Sequence, residues 1–194
     1  MTARVLAVLV GYLLGSVSFA MLAARRSGTD LRTLGSGNPG ASNAGRVLGL
    51  RVGVAVAVLD VLKGLLPAVG FGLVEHEAGL LAGVAGVLGH VTTPWLRGHG
   101  GKGVATAAGA ILGSHPLWAP VALLVWLVVL FATRWIAMAS VLAALTAPVT
   151  AVVVGAPGVD VAWGAVIAAV IVVRHRSNFA RWWRTRQAAG ASGR

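Results

Sequence analysis

The chain has 194 residues, of which 57% are hydrophobic and only 11% charged, and its mean hydropathy is +0.85. That balance excludes an ordinary soluble domain. The formal net charge of +11 would point to nucleic acid in a soluble protein, but here the cations other than Lys63 gather in and beside the loops and in the tail, where membrane topology and anionic lipid account for them; no nucleic-acid partner is expected. Cysteine is absent, which excludes disulfides and thiolate chemistry, and the five histidines show no metal-ligand spacing, so no metal or other cofactor is expected.

In chain order, apolar segments of about 18 residues or more recur, the length needed for a hydrocarbon core of roughly 30 Å. The predicted spans are 4–24, 50–74, 78–96, 101–114, 117–133, 135–155 and 159–174, forming one domain over 1–194. The fold class expected is all-α membrane, with about seven transmembrane helices. Val5 to Ala24 has the shape of a signal peptide, but Arg25, Arg26 and Arg32 follow it, and that bias favours a retained span with its N-terminus outside. The fourth segment is short and rich in glycine and alanine, and is expected to enter without necessarily crossing. A five-span arrangement that merges the fourth and fifth segments sorts the loop charges less cleanly.

The connectors alternate in charge. Residues 25–51 hold Arg25, Arg26, Arg32, Arg46 and Arg51; Glu75-His76-Glu77 is acidic; Arg97 and Lys102 follow, then a neutral turn at Gly113 to Pro116, then Arg134; Gly155 to Asp160 is neutral to acidic, and the tail from Arg174 holds six arginines. Seven spans starting outside put every basic connector on the cytoplasmic face and the C-terminus inside, leaving only Arg4 out of place. Arg181 to Arg186, with Trp182 and Trp183, suits an interfacial helix continuing from the last span.

Three polar stretches interrupt the lipid-soluble pattern, all on that one face. Gly35 to Arg46 gathers Ser36, Asn38, Ser42, Asn43 and Arg46 in a loop where Gly35, Gly37 and Gly40 permit positive φ, with Ser42 or Asn43 placed to cap a helix that carries Arg46 into the second span. Gly98 to Gly103 puts Gly100, Gly101, Lys102 and Gly103 ahead of a helix start, the parts of a phosphate site. It is not a Walker A loop, which needs Ser or Thr where Gly103 stands. Arg174 to Phe179 places His175 and Asn178 three residues apart, on one face of a continued helix, beside Arg176. Within the second span Asp60 and Lys63 share a face and are expected to pair, since each alone would cost about 2.5–3.5 kcal/mol at mid-bilayer. Ser140 is one polar side chain in an apolar segment.

Taken together, Gly35 to Asn43 with Arg46, Asp60-Val61-Leu62-Lys63-Gly64, Gly100 to Thr106, and His175-Arg176-Ser177-Asn178 resemble, in order and over nearly the whole chain, the bacterial acyl-phosphate:glycerol-3-phosphate acyltransferases of the cytoplasmic membrane. The resemblance implies transfer of a fatty acyl group from acyl phosphate to the 1-hydroxyl of sn-glycerol 3-phosphate, the first step of phospholipid synthesis, with the active site facing the cytoplasm. By that resemblance, Ser36, Asn43 and Arg46 contact substrate and phosphate, Lys102 and its flanking glycines bind phosphate, His175 and Asn178 lie at the reacting centre, and Ser140 matches a serine of the sixth span. The chain departs from the family where a Gly and a Glu usually follow the Asn, at Thr185 and Gln187, and also at Ser18 and Thr93.

The reaction agrees with the residues. Two phosphorylated substrates need several cationic loops, and one of them belongs in lipid, the other in the cytosol. Acyl phosphate is already a mixed anhydride, so positioning and preset donors suffice for catalysis. The partners expected are therefore the two substrates and membrane lipid; the oligomeric state stays open, with a monomer sufficient. Two rival classes fit less well. A transporter for a phosphorylated metabolite would place polar groups near the midplane. A metal-dependent lipid-phosphate transferase would pair acidic residues on the cytoplasmic side, and the five acids present form no such pair.

Overall fold

The computed structural model describes residues 2–191, and among them the regular structure is helical throughout. The elements are α1 (Thr2–Ser16), α2 (Phe19–Arg26), α3 (Ala41–Leu48), α4 (Leu50–Gly72), α5 (His76–Thr92), a 3₁₀ turn (Pro94–Leu96), α6 (Val104–Ser114), α7 (Ala119–Thr133), α8 (Ile136–Val153) and α9 (Gly158–Ala191).

Side-chain contacts fix the direction of each helix. At one end Arg4 meets Glu75 and Glu77, and Asp160 meets His76 and His115. At the other, Thr93 and Trp95 reach Ser16, Arg174 holds Gly100 and Gly101, and Trp135 stacks on Trp182. Between these ends the chain passes back and forth along α1, α4, α5, α6, α7, α8 and α9. Five stretches are long and apolar enough to cross a membrane: Thr2–Arg26, Leu50–Gly72, His76–Leu96, Ile136–Val153 and Gly158–Ala188. The two others are shorter. With 11 and 15 residues, α6 and α7 rise about 16 and 22 Å, against a hydrocarbon core of roughly 30 Å.

Small residues set the packing, as expected where lipid removes most of the hydrophobic drive between helices. Gly15 of α1 lies so close to α5 that a β-carbon there would come within 2.6 Å of the Gly86 Cα. Gly109 of α6 approaches α4 equally closely, at 2.8 Å from the Val61 carbonyl carbon. A second region of packed side chains joins α5, α6, α8 and α9 around Val87, Ile111, Trp163, Ile167 and Ile171, and the Trp163 indole donates to the Leu80 carbonyl at 2.8 Å.

Several sequence expectations need correction. The first apolar segment is broken at Val17 and Ser18, with Ser18 capping α2. The break frees carbonyls, and other helices capture them: Lys63 Nζ donates to Val17 O at 2.7 Å and Thr93 Oγ1 to Ser16 O at 2.6 Å. Lys63 also pairs with Asp60 at 2.9 Å, both side chains under 5% exposed, so the expected ion pair forms and also mends the broken helix. Neither Ser42 nor Asn43 caps a helix: Gly40 is the N-cap of α3, in extended conformation at φ −140° rather than at positive φ. Nor does α3 run into α4, because Gly49 at φ 97° separates them. As expected, the helix of the last span continues through Arg181 to Arg186, without a break from Gly158 to Ala191, and there Arg186 lies over the Trp182 ring at 4.4 Å.

Candidate active site

The first polar stretch is shaped by one amide. Asn43, on the first turns of α3, is 1% exposed. Its Oδ1 accepts the Ser36 N–H at 2.8 Å, and its Nδ2 donates to Leu31 O and Leu34 O, each at 3.0 Å. Every strong hydrogen-bonding position of the amide is therefore spent on the loop, and the only further contact is a long 3.5 Å approach from Arg46 Nη1 to Oδ1. Asn43, expected to touch substrate, holds the loop in shape. That shape turns at Gly35 and Gly37, which sit at φ 60° and 72°, conformations costly for any residue with a β-carbon. Ser36, Ser42 and Arg46 are left exposed, with Asn38 half-buried.

The second stretch is a glycine loop pressed against the end of α5. Gly100 N–H donates to Val91 O at 3.1 Å. A β-carbon on Gly100 would collide with the His90 carbonyl, and one on Gly101 with His90 Nε2. Gly103, at φ 82°, is the N-cap of α6. Only glycine fits these close approaches, and the turn brings Lys102 to the start of a helix, where free N–H groups and partial positive charge favour an anion. His90 itself is buried, with Nδ1 3.7 Å from Asp60 Oδ1, so the glycine loop rests on the same buried polar group as the Asp60–Lys63 pair.

The third stretch closes on the second. Lys102 Nζ donates to Asn178 Oδ1, while Arg174 grips the glycine loop through Gly100 O at 2.7 Å and Gly101 O at 3.0 and 3.2 Å. His175 is 2% exposed, and its Nδ1 lies 2.8 Å from Ile171 O. A carbonyl only accepts, so Nδ1 carries the proton and Nε2 is the basic nitrogen. Arg176 is exposed on the outer side of the helix. Ser140 stands apart: it is buried between α7 and α8, where its Oγ accepts from the Trp126 indole at 3.4 Å. The structure thus unites Lys102, Asn178 and the glycine loop, and gathers Ser36, Asn43 and Arg46 into a second group at the same end.

Arg174 was not among the residues expected to act. Its role is invisible in sequence because its partners are backbone carbonyls, which every residue has. A cation directly before His175 at the end of an apolar run was the signal available.

The electrostatics are one-sided. Burial and the neighbouring cations Arg181 and Arg174 lower the Lys102 pKa to about 8. The chain has five acidic residues, and all are engaged elsewhere: Asp30 with Arg32, Asp60 with Lys63, Glu75 and Glu77 with Arg4, Asp160 with His76. Arg46, Lys102, Arg174 and Arg176 therefore have no carboxylate partner among the described residues. Lys102 with the neighbouring Arg174 and Arg181 is a cluster expensive to assemble unless an anion from outside completes it.

Comparison with known proteins agrees. The glycerol-3-phosphate acyltransferase family profile matches residues 5–185. A glycerol-3-phosphate acyltransferase from Geotalea daltonii is 40% identical over 186 residues, covering 93% of this chain and 94% of the relative. One from Aquifex aeolicus is 40% identical over 178 residues, covering 90% and 92%. Among solved structures, PlsY, an integral membrane glycerol 3-phosphate acyltransferase, superimposes in its glycerol 3-phosphate form with a TM-score of 0.88 at 39% identity, covering 94% of this chain and 93% of that one. Its lysophosphatidic acid form gives 0.86 at 38% identity.

Proposed function

The chain belongs to the glycerol-3-phosphate acyltransferase family, and within it we propose that acyl phosphate is the donor and the 1-hydroxyl of sn-glycerol 3-phosphate the acceptor. It is an integral membrane acyltransferase. The products of the proposed reaction are lysophosphatidic acid and inorganic phosphate, and the step is the first of phospholipid synthesis. The observation that carries the reading is the group of cations without a carboxylate partner around Lys102. Both substrates are phosphorylated, and each supplies the missing anion.

In this reading the protein is one domain that crosses the bacterial cytoplasmic membrane seven times, N-terminus outside, with the loop end in the cytoplasm. Arg4, the one cation on the wrong side of that arrangement, is neutralised by Glu75 and Glu77. Lys102, the Gly100, Gly101 and Gly103 backbone and Asn178 hold one phosphate, with Arg176 adding positive charge from the outer side of the helix; Ser36, Arg46 and the turn at Gly35, Gly37, Asn38 and Gly40 hold the other, with Ser42 at its rim and Asn43 as the brace. Arg174 positions the glycine loop. Ser140 completes the wall between α7 and α8.

The chemistry needs no covalent enzyme intermediate. The hydroxyl oxygen forms a bond to the acyl carbon, the carbon–oxygen bond to phosphate breaks, and phosphate leaves with that electron pair. Lys102 and the N–H groups at the start of α6 stabilise the charge that collects on the leaving phosphate. The hydroxyl proton goes either to His175 Nε2, whose tautomer is set by Ile171 O, or to a phosphate oxygen of the substrate.

The test is a donor comparison on purified protein in detergent, with radiolabelled glycerol 3-phosphate and no added metal. Palmitoyl phosphate should yield lysophosphatidic acid, while palmitoyl-CoA and the acyl carrier protein thioester should not. Product from a thioester at an equal or higher rate would replace the proposed donor.

A further inference from the structure

The end of the bundle remote from the loops carries a cluster that the acyl transfer does not use. His76 opens α5, His115 follows the last turn of α6, and Asp160 lies in the first turn of α9. Their ligand-type atoms, one from each residue, all lie within 4.8 Å of one another. Asp160 Oδ1 is 2.7 Å from His76 Nε2 and 3.2 Å from His115 Nε2. Zinc held by nitrogen and oxygen at about 2.0–2.1 Å in tetrahedral geometry sets its donors roughly 3.3 Å apart, a separation inside the observed range.

The three donors are not equally free, and the differences favour a metal over a hydrogen-bonded triad. Asp160 is 3% exposed at its side chain, and the basic groups facing its carboxylate are two imidazoles, with no lysine or arginine bonded to it. His115 Nε2 is buried and makes no hydrogen bond, although 3.2 Å separates it from the carboxylate oxygen. The ring is fixed in that attitude: it stacks on Trp118 at 3.7 Å between centroids and meets Trp163 edge-on at 5.3 Å. Buried next to it, Ser114 Oγ also makes no hydrogen bond. A cleft of about 180 Å³ opens beside the cluster, bordered by His76 and Ser114, and gives room for water. The 53% exposed side chain of His76 can swing to close the longest gap.

We propose that His76, His115 and Asp160 bind one zinc ion, or another divalent transition metal of similar preference, with water in the fourth position. Two neutral imidazoles and one carboxylate are ligands suited to such a cation. The ion joins the starts of α5 and α9 to the turn after α6, three places far apart in the chain that no disulfide can cross-link. Its role is a staple at the end away from the chemistry, and acyl transfer does not depend on it.

The test uses the full-length protein, freed of any affinity tag and stripped with a chelator, titrated with ZnCl₂ in detergent. One equivalent of zinc should bind, and at a hundredfold excess over Kd the Tm should rise by roughly 5–10 °C. Magnesium and calcium should leave Tm unchanged. His76→Gln, at an exposed position that leaves the packing intact, should weaken zinc binding at least tenfold, and His115→Gln should do the same. Less than half an equivalent bound by the wild type, or zinc affinity unchanged in His76→Gln, would overturn the site. Should His115→Gln fail to fold, His76→Gln alone decides.

Discussion

The two ends of the bundle handle charge in opposite ways. At the end that holds Arg4, Glu75, Glu77 and Asp160, each carboxylate has a basic side chain beside it. At the loop end, Lys102 sits among Arg174 and Arg181 with no carboxylate near it, and the backbone turns through left-handed glycines at Gly35, Gly37 and Gly103. At the first end the charges of Glu75 and Glu77 are matched by Arg4 of the same chain, whereas the cations of the second need an anion from outside. Self-neutralised charge closes a helix bundle at little cost, while uncompensated charge, held in place by glycine turns and by Asn43, is what an enzyme retains for its substrate.

The contrast breaks most sharply at Lys102. Lys102→Ala removes the ammonium but keeps the turn, whose shape depends on Gly101 against His90 and on Arg174. The expected result is a loss of about 10²-fold or more in kcat/KM, with insertion and Tm close to wild type. Near-wild-type turnover would mean that Lys102 does not carry the phosphate. Lys102 also sharpens the comparison through pH. Its pKa, lowered to about 8 by burial and the adjacent arginines, makes its charge titrate in an accessible range. Binding needs the ammonium, so kcat/KM should be level between the second phosphate pKa of glycerol 3-phosphate, about 6, and pH 8, and fall about tenfold per unit well above pH 8, where the substrate stays a dianion. Lys102→Arg keeps a charge at all these values and should lose the falling limb at a lower overall rate. A wild-type profile level to pH 9.5 would show that Lys102 is not the titrating group.

Much of this was readable from sequence where the signal is local. Apolar runs mark the helices, and glycines beside Lys102 or Arg46 mark the loops, because span length and turn chemistry depend on neighbouring residues alone. The Asp60–Lys63 pair followed from helical spacing. What escaped depends on partners distant in the chain. The break at Val17 and Ser18 is tolerated because Lys63 and Thr93 take up the freed carbonyls, and nothing near residue 17 announces either donor. The brace that Asn43 makes to the loop was not readable, because its partners at Leu31 and Leu34 are carbonyls that sequence cannot single out. His76, His115 and Asp160 lie in three separate connectors, so spacing rules for metal sites pass over them.

The smallest effect is expected at the finished end. The Arg4, Glu75 and Glu77 side chains are 46%, 36% and 44% exposed, so water and salt screen their attraction. Arg4→Ala should leave kcat/KM within about twofold and shift Tm by no more than about 2 °C, with the difference vanishing as salt is raised. The measurement has force because α1 joins the two ends. Its far terminus offers Ser16 O to Thr93 and the Ser16 hydroxyl to Trp95, immediately ahead of the glycine loop. A large fall in activity in Arg4→Ala, with Tm unchanged, would mean that a shift at the start of α1 is transmitted to that loop, and the two ends would have to be treated as one coupled device. An unchanged enzyme fits the simpler account, in which the loop end is held locally by Asn43, His90 and Arg174.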